Sequence, residues 1–289
     1  MTERQIRTFQ RGAIARHRGH DAALEGPKSD LAAADDYVAF CEGLRELCGI
    51  DLSQYKRPQM ERRLRSFFAR QGYARLTESL AWLRSDKQQL DELLERVTIN
   101  VSQLWRHPDH WLRLEGGLLE DLAAHGRLRA WSAGCSYGAE AYTLAAVCRR
   151  AIPDAAVRIL GTDIDQRMVA RAKVGAFSEE DARTAPPAAM ERWFERTETG
   201  WQAKHELRAM TRFEVGDLLK LQPPASSYEL IMCRNTVIYF ADQMRDELHA
   251  RLAHALRPGG LLVIGGTERI SDATGLGLST IHPFIYRKS

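Results

Sequence analysis

Cys233-Arg234-Asn235-Thr236-Val237-Ile238-Tyr239-Phe240 closes an apolar run with a compact set of polar groups, and its reading decides the fold. Just before it, Tyr228-Glu229-Leu230-Ile231-Met232-Cys233 follows Pro-Pro-Ala-Ser-Ser. A short apolar run bounded by turn formers describes a buried parallel strand better than a helix. Arg234, Asn235 and Tyr239 then stand just past its carboxyl end, where open α/β sheets bind their ligands. Alone, the pattern equally describes a strand, a turn and an incidental tyrosine.

A second strand-to-loop switch lies upstream in Leu128-Arg129-Ala130-Trp131-Ser132-Ala133-Gly134-Cys135-Ser136-Tyr137-Gly138-Ala139-Glu140, ahead of a helical pattern at 141–151. Gly134 and Gly138 let the backbone turn sharply and approach a ligand. The same spacing also serves tight packing of a helix on a strand. The next strand, 156–162, ends in Asp163-Ile164-Asp165. An acid there is placed to accept hydrogen bonds from ribose hydroxyls. The three segments together describe a nucleoside-containing ligand lying across adjacent strand ends.

These motifs, with Thr162 ahead of Asp163 and Ile238 ahead of Tyr239-Phe240, resemble the CheR family from about Tyr37 to the C-terminus. That family comprises the chemotaxis-receptor glutamate O-methyltransferases that use S-adenosyl-L-methionine and release S-adenosyl-L-homocysteine. The resemblance implies a Rossmann-like methyltransferase sheet, an N-terminal all-helical domain and a small β-hairpin insert.

Composition narrows the setting without identifying the protein. A chain of 289 residues with a formal charge of +3 is long enough for one large or two modest domains and too weakly basic to demand nucleic acid. Cys41, Cys48, Cys135, Cys148 and Cys233 contain no C-x-x-C pair, which argues for cytoplasmic thiols and against zinc or a disulfide frame. Cys135 and Cys233 read as small buried thiols on strands beside the site. No apolar stretch reaches the ~20 residues of a membrane span, and the Arg-rich start has no apolar core of a secretory signal. The expectation is a cytoplasmic, non-inserted monomer.

Along the chain, residues 1–34 form a polar, basic tail, and 35–119 a domain of about four helices with a linker, capped at Asp35, Ser53, Thr77 and Ser85. Residues 120–289 alternate strands and helices, which calls for a parallel α/β sheet covered on both faces. Pro283 places the last strand, 279–287, at an edge or antiparallel position. A compact hairpin is expected at about 197–211. Relatives carry a β-subdomain there that in some grips a receptor C-terminal peptide, and this insert has few residues to spare for that.

The resemblance also assigns roles. Arg106 and Tyr239 place the reacting carboxylate. Asn100, Ser102, Arg106, Gly134, Glu140, Asp163, Asp217, Arg234 and Asn235 hold the cofactor, with Asp163 on the ribose, Glu140 facing the methionyl amino group and Asp217 near the adenine. Arg57, Arg62, Arg63 and Arg65 lie on a basic helix that meets the helical bundle of a chemoreceptor. Each also has a plainer reading: Arg106 paired with Asp109, Tyr239 capping the core, the carboxylates as turn caps, the arginines as a solvated face. The glycine loop departs from the family's Ser-Thr-Gly-Glu-Glu-Pro-Tyr, reading Ser136-Tyr137-Gly138-Ala139-Glu140-Ala141-Tyr142. Tyr137 is therefore expected to crowd the cofactor or shift the loop. A regulatory protein with little turnover, or a methyltransferase of RNA or a small molecule, remains compatible with the residues.

Overall fold

A computed structural model of the protein describes residues 28–98 and 102–289. Helix α1 (Lys28–Cys48) begins upstream of Asp35, so that residue is not a cap. Ala32-Ala33-Ala34 has the strongest intrinsic helix propensity and carries the helix through this point. The basic tail ahead of Lys28 lies outside the described residues. The other three caps also differ. Asp51, not Ser53, caps the turn Leu52–Gln54 by accepting from Ser53 N at 3.0 Å. Asp86, not Ser85, accepts from Gln88 N at 2.9 Å at the start of α4. Thr77 is itself held by buried Asp36, which accepts from its hydroxyl at 2.7 Å and from Leu76 N at 2.9 Å. In each case a carboxylate wins over a nearby hydroxyl, because the partial positive charge of a helix N-terminus favours an anion.

Helices α2 (Arg57–Arg70), α3 (Leu80–Ser85) and α4 (Lys87–Thr98) complete a bundle with α1. Met60, Leu64, Phe67 and Phe68 recur at helical spacing on one face of α2 and bury against Phe40, Leu44, Leu83, Leu93 and Val97. Phe68 meets Phe40 edge-on at 5.4 Å and Phe67 at 5.0 Å, an arrangement worth ~1 kcal/mol per pair beyond simple burial. Helices α5 (Pro108–Arg113) and α6 (Leu119–Leu122) follow, separated by a wide turn with Gly117 at φ +107°.

Trp111, Leu114 and Leu119 on this stretch join the core of a seven-stranded sheet. Its strands are β1 (Arg127–Ala133), β2 (Ala156–Asp163), β6 (Thr211–Val215), β7 (Tyr228–Cys233), β8 (Leu256–Ile264), β9 (Leu278–His282) and β10 (Ile285–Lys288), in spatial order β6-β2-β1-β7-β8-β10-β9. The first five are mutually parallel, β10 runs antiparallel to them, and β9, antiparallel to β10, runs with the five again. Helices α7 (Ala139–Ala151), α8 (Gln166–Val174) and α12 (Asp242–Ala255) supply the crossovers. Strand order reverses between β1 and β7, so their carboxyl ends diverge and leave a crevice. The expected last strand is two: Pro283 and Phe284 form the turn of a β9–β10 hairpin, with Phe284 at φ +65°. A proline cannot donate to a ladder, and here it breaks the strand.

Between β2 and β6 lie β3 (Ala176–Phe177), α9 (Glu179–Ala182), α10 (Pro187–Trp193), β4 (Phe194–Thr197), β5 (Gly200–Ala203) and α11 (His205–Arg208). The hairpin expected at about 197–211 lies earlier, as β4–β5 over 194–203, and two-residue β3 adds to it as a separate sheet of order β3-β5-β4. It does not extend the main sheet. Gly200 makes this possible, since a Cβ there would lie 2.2 Å from the Phe177 carbonyl oxygen.

Two backbone hydrogen bonds fasten the helical bundle to the sheet: Lys56 N to Tyr239 O and Ala241 N to Gln54 O, both 2.9 Å. The Tyr55 ring packs edge-on against Phe240 at 5.2 Å between them. No helix among the described residues is long and apolar enough to cross a membrane.

Candidate active site

A cleft of about 960 Å³, counted out to its mouth, opens over the carboxyl ends of β1, β2, β6 and β7. Ser102, Arg106, Gly134, Glu140, Asp163, Asp217, Arg234, Asn235 and Tyr239 all line it. Asn100 lies outside the described residues. The glycine pair divides its roles. Gly134, at φ +81°, lines the cleft, and a Cβ there would sit 2.4 Å from the Thr236 hydroxyl oxygen. Gly138 instead packs α7 against α8, where an added Cβ would lie 3.0 Å from the Ala172 methyl. Cys233 ends β7, whereas Cys135 sits in the loop beyond β1 rather than on a strand. Burial pushes both thiols well above their ordinary range, which suits packing rather than nucleophilic attack.

Asp163 ends β2 as a buried carboxylate. Its oxygens accept from Ser136 N at 2.7 Å and Asp165 N at 3.0 Å. Burial lifts this carboxyl above its usual range against the pull of those N–H groups. A carboxylate has about four acceptor positions, so further donors such as a pair of vicinal hydroxyls fit. Asp163→Asn is expected to weaken binding of S-adenosylhomocysteine roughly 30-fold, because an amide N–H₂ then faces backbone donors. Isothermal calorimetry showing affinity within threefold of wild type would rule out the ribose contact that the resemblance implies for Asp163.

Asp217 follows β6. Its side chain accepts from Leu219 N at 2.9 Å and pairs with exposed Lys220 at 3.1 Å, so it caps a turn and also faces the cleft. Around it stand Tyr55, Ile164, Leu218 and Phe240, apolar surface suited to a flat base. Burial raises the Tyr55 hydroxyl above its ordinary range, with Asp217 and Asp163 adding to the shift, so it stays a neutral donor. Sequence reasoning missed Tyr55 because it arrives from the helical bundle.

Elsewhere in the cleft, Glu140 accepts from the Ser132 hydroxyl at 2.6 Å and pairs with Arg234 at 3.3 Å. One carboxylate and one guanidinium side by side match the opposite charges of a free amino acid group. Arg234 also pins the chain. Its guanidinium stacks on Trp111 at 5.3 Å, donates to the Arg106 carbonyl at 2.7 Å and lies 3.1 Å from His107 Nδ1. Burial, with Arg234 and Arg106 nearby, lowers the affinity of His107 for a proton, which leaves it the acceptor. Trp111 Nε1 gives the Arg106 carbonyl a second donor at 3.1 Å.

Backbone strain gathers here. Of six non-glycine residues with positive φ among the described residues, Trp105, His107, Ser136 and Asn235 flank Arg106 or line the cleft. Such conformations cost on the order of 1 kcal/mol or more each and persist where the surroundings hold them. Glu268, just past β8, does this for the segment after β7. Its carboxylate accepts from Val237 N at 3.2 Å and from Gly265 N, with Asn235 and Thr236 N–H groups also facing it. An acid following Gly265-Gly266 at a strand end is the signal that could have found it.

Tyr137 does not crowd the cleft. The ring is 3% exposed and turned outward from the cleft lining toward Asp181 and the Ser102 carbonyl. The arginines of the basic helix are not equivalent in their surroundings. Arg57 and Arg65 pair with Glu61 at 3.1 and 2.7 Å, and Arg65 reaches Asp36. Arg63 donates to the Arg96 and Val97 carbonyls and lies 5.8 Å from the Tyr239 ring. Arg62 is exposed and, alone of the four, has no partner among the described residues. Among the described residues no ion pair joins Arg106 to Asp109, and Arg106 has a contact elsewhere.

A doubly wound sheet with an acid at the end of β2, a glycine loop after β1 and a charge-paired amino acid pocket defines an S-adenosylmethionine-dependent methyltransferase. The family comparisons make this specific. Residues 100–279 match the CheR methyltransferase, SAM binding domain, and residues 35–98 match the CheR methyltransferase, all-alpha domain. The chemotaxis protein methyltransferase of Listeria monocytogenes is 34% identical over 264 residues, 88% of this chain and 97% of that one. That of Listeria innocua is 35% identical over 266 residues, again 88% and 97%. Chemotaxis protein methyltransferase 1 of Pseudomonas aeruginosa is 29% identical over 257 residues, 83% and 92%. The chain belongs to the CheR family, the protein-glutamate O-methyltransferases of chemotaxis that draw their methyl group from S-adenosylmethionine.

Proposed function

We propose that Tyr55, Asp163 and Asp217 hold the nucleoside part of the cofactor, that Asn100, Ser102, Gly134, Glu140, Arg234 and Asn235 hold its amino acid part, and that Arg106 and Tyr239 receive a receptor glutamate. Bound there, the cofactor supplies an electrophilic methyl group. The glutamate is ionised near pH 7, its ordinary pKa being about 4.3, so the protein needs no general base. Arg106 offers a planar, permanently charged fork of donors. Burial raises the Tyr239 hydroxyl above its ordinary range, which keeps its proton available for donation. Positioning is the main contribution, worth several kcal/mol when reacting groups are held in line. The grip on the carboxylate must stay moderate, since tight ground-state binding weakens a nucleophile.

One observation supports this reading above the others. Arg106 and Tyr239, from separate segments, line the same cleft as Asp163 and the Glu140–Arg234 pair. The partner is the cytoplasmic helical bundle of a chemoreceptor, met by α2, and the enzyme works in the cytoplasm as a monomer with neither nucleic acid nor membrane insertion. Labelled methyl should pass from S-adenosylmethionine to receptor-containing membranes and leave as volatile methanol in base. Base-stable label, or label in RNA, would overturn the assignment of glutamate as acceptor.

Exposed Arg62 makes the receptor contact testable. Charge reversal in Arg62→Glu should slow association with the receptor severalfold at low ionic strength, and the difference should vanish near 0.5 M salt. Equal association rates at low salt in surface plasmon resonance would place the docking face elsewhere.

A further inference from the structure

The segment from Ser102 to His107 carries Arg106 past the cleft in a conformation it would not hold alone. Trp105 and His107 sit at φ +54° and +57° on either side of Arg106, a region costly for side chains of that size. Arg234 and Trp111 hold the Arg106 carbonyl from below the cleft. The other flank of the segment is held by residues with no place in the cleft lining. Leu104 N donates to the Asp181 carbonyl at 2.9 Å, the Thr184 hydroxyl donates to the Leu104 carbonyl at 2.7 Å, and Trp105 N donates to the Thr143 hydroxyl at 3.1 Å. The Tyr137 hydroxyl has two acceptors within reach of its one proton, the Ser102 carbonyl and Asp181 Oδ1, the latter at 2.8 Å.

Asp181 is itself fixed. Its Oδ2 pairs with Arg171 at 2.5 Å and accepts from Ser178 N at 2.9 Å. The Arg171 guanidinium lies over the Tyr137 ring at 3.9 Å, close enough for an attraction of ~1 kcal/mol. Tyr137 therefore has its ring clamped by a cation and its hydroxyl clamped by an acid, and it delivers that rigidity to the Ser102 carbonyl. Ser102 and Arg106 both line the cleft. Tyr137 stands in the loop whose Gly134 and Ser136 also line it. The cofactor loop and the arginine segment are thus tied through one phenol.

We infer that Tyr137, with Asp181 and Arg171, is a latch that positions Arg106 for methyl transfer. It is a positioning device and touches neither cofactor nor substrate. The inference rests on the role of Arg106 proposed above. A hydroxyl as short as threonine's could not span from this loop to the Ser102 carbonyl, which gives the phenol at position 137 a function of its own.

Tyr137→Phe keeps the ring and the stacked guanidinium and removes only the hydroxyl. The expected result is a kcat about tenfold lower, since small misplacements of a positioned group are costly. Affinity for S-adenosylhomocysteine should stay within threefold and the melting temperature within a few degrees. In an Arg106→Ala background the same change should produce no further loss of turnover, because the latch acts through Arg106. Amide hydrogen exchange at Leu104 and Trp105 should quicken about tenfold. A kcat within twofold of wild type, a full independent loss in the Arg106→Ala background, or unchanged exchange would each overturn the latch. If Tyr137→Phe does not fold, Asp181→Asn, which breaks the pair with Arg171, carries the same expectations. If the wild-type chain esterifies no glutamate, the reaction assignment fails, and the exchange measurement still decides the latch.

Discussion

Replacing Arg106 by alanine is expected to lower turnover by about 10²–10³-fold, the range seen when one preorganised donor to a reacting group is lost. Binding of S-adenosylhomocysteine should weaken only a few-fold, because Asp163, Asp217 and the Glu140–Arg234 pair remain in the cleft. The asymmetry is the diagnostic. The backbone at Arg106 is fastened by two donors to its carbonyl, so truncating the side chain leaves the segment in place. Arg106→Lys should recover little, because an ammonium lacks the planar fork. Initial rates with labelled cofactor and calorimetry with the product settle the matter: unchanged turnover, or an affinity loss as large as the rate loss, would make Arg106 a cofactor residue and not a catalytic one.

Glu268→Ala is expected to destabilise the protein by about 4 kcal/mol, since it strips the acceptor from several buried N–H groups at once and each orphaned donor costs ~1–3 kcal/mol. For a chain of this size that corresponds to a fall in melting temperature of roughly 10 °C. The change should also reach the chemistry. Glu268 organises the strained turn at Asn235, and Tyr239 lies at the end of that segment. Gly265 shows how tightly the acid is seated: a Cβ there would lie 2.7 Å from Glu268 Oε2 and 2.8 Å from Asn235 N. Glu268→Gln, which keeps one acceptor, should cost less. A melting curve for Glu268→Ala within 2 °C of wild type would show that water replaces the carboxylate.

The sheet and the acid of β2 were legible because each rests on a local rule: apolar runs between turn formers make strands, and ligands gather at their carboxyl ends. Asp217 was placed by the resemblance to a family, whereas Asp163 obeys that rule directly. Arg106 does not, since nothing in Leu104-Trp105-Arg106 by itself points to a cleft, and only the resemblance to a family placed it there. Tyr55 and Glu268 escaped because their roles depend on contacts distant in sequence, with Phe240 for one and Val237 for the other. Tyr137 was misread by size alone. A bulky ring in a glycine loop suggested obstruction, yet the loop turns it outward onto Asp181. The expected caps at Ser53 and Ser85 went to neighbouring carboxylates, a competition that sequence patterns rank poorly.

The paired bonds from Lys56 to Tyr239 and from Ala241 to Gln54 carry a lesson for engineering. Lys56 immediately precedes α2, so one peptide both launches that helix and braces Tyr239 in the cleft. Transplanting the bundle from a relative to redirect specificity would carry half of that brace and leave the other half behind. A working chimera must therefore exchange 239–241 along with the helices, and a cut placed between the two domains on sequence grounds alone would yield a hybrid that docks but turns over slowly.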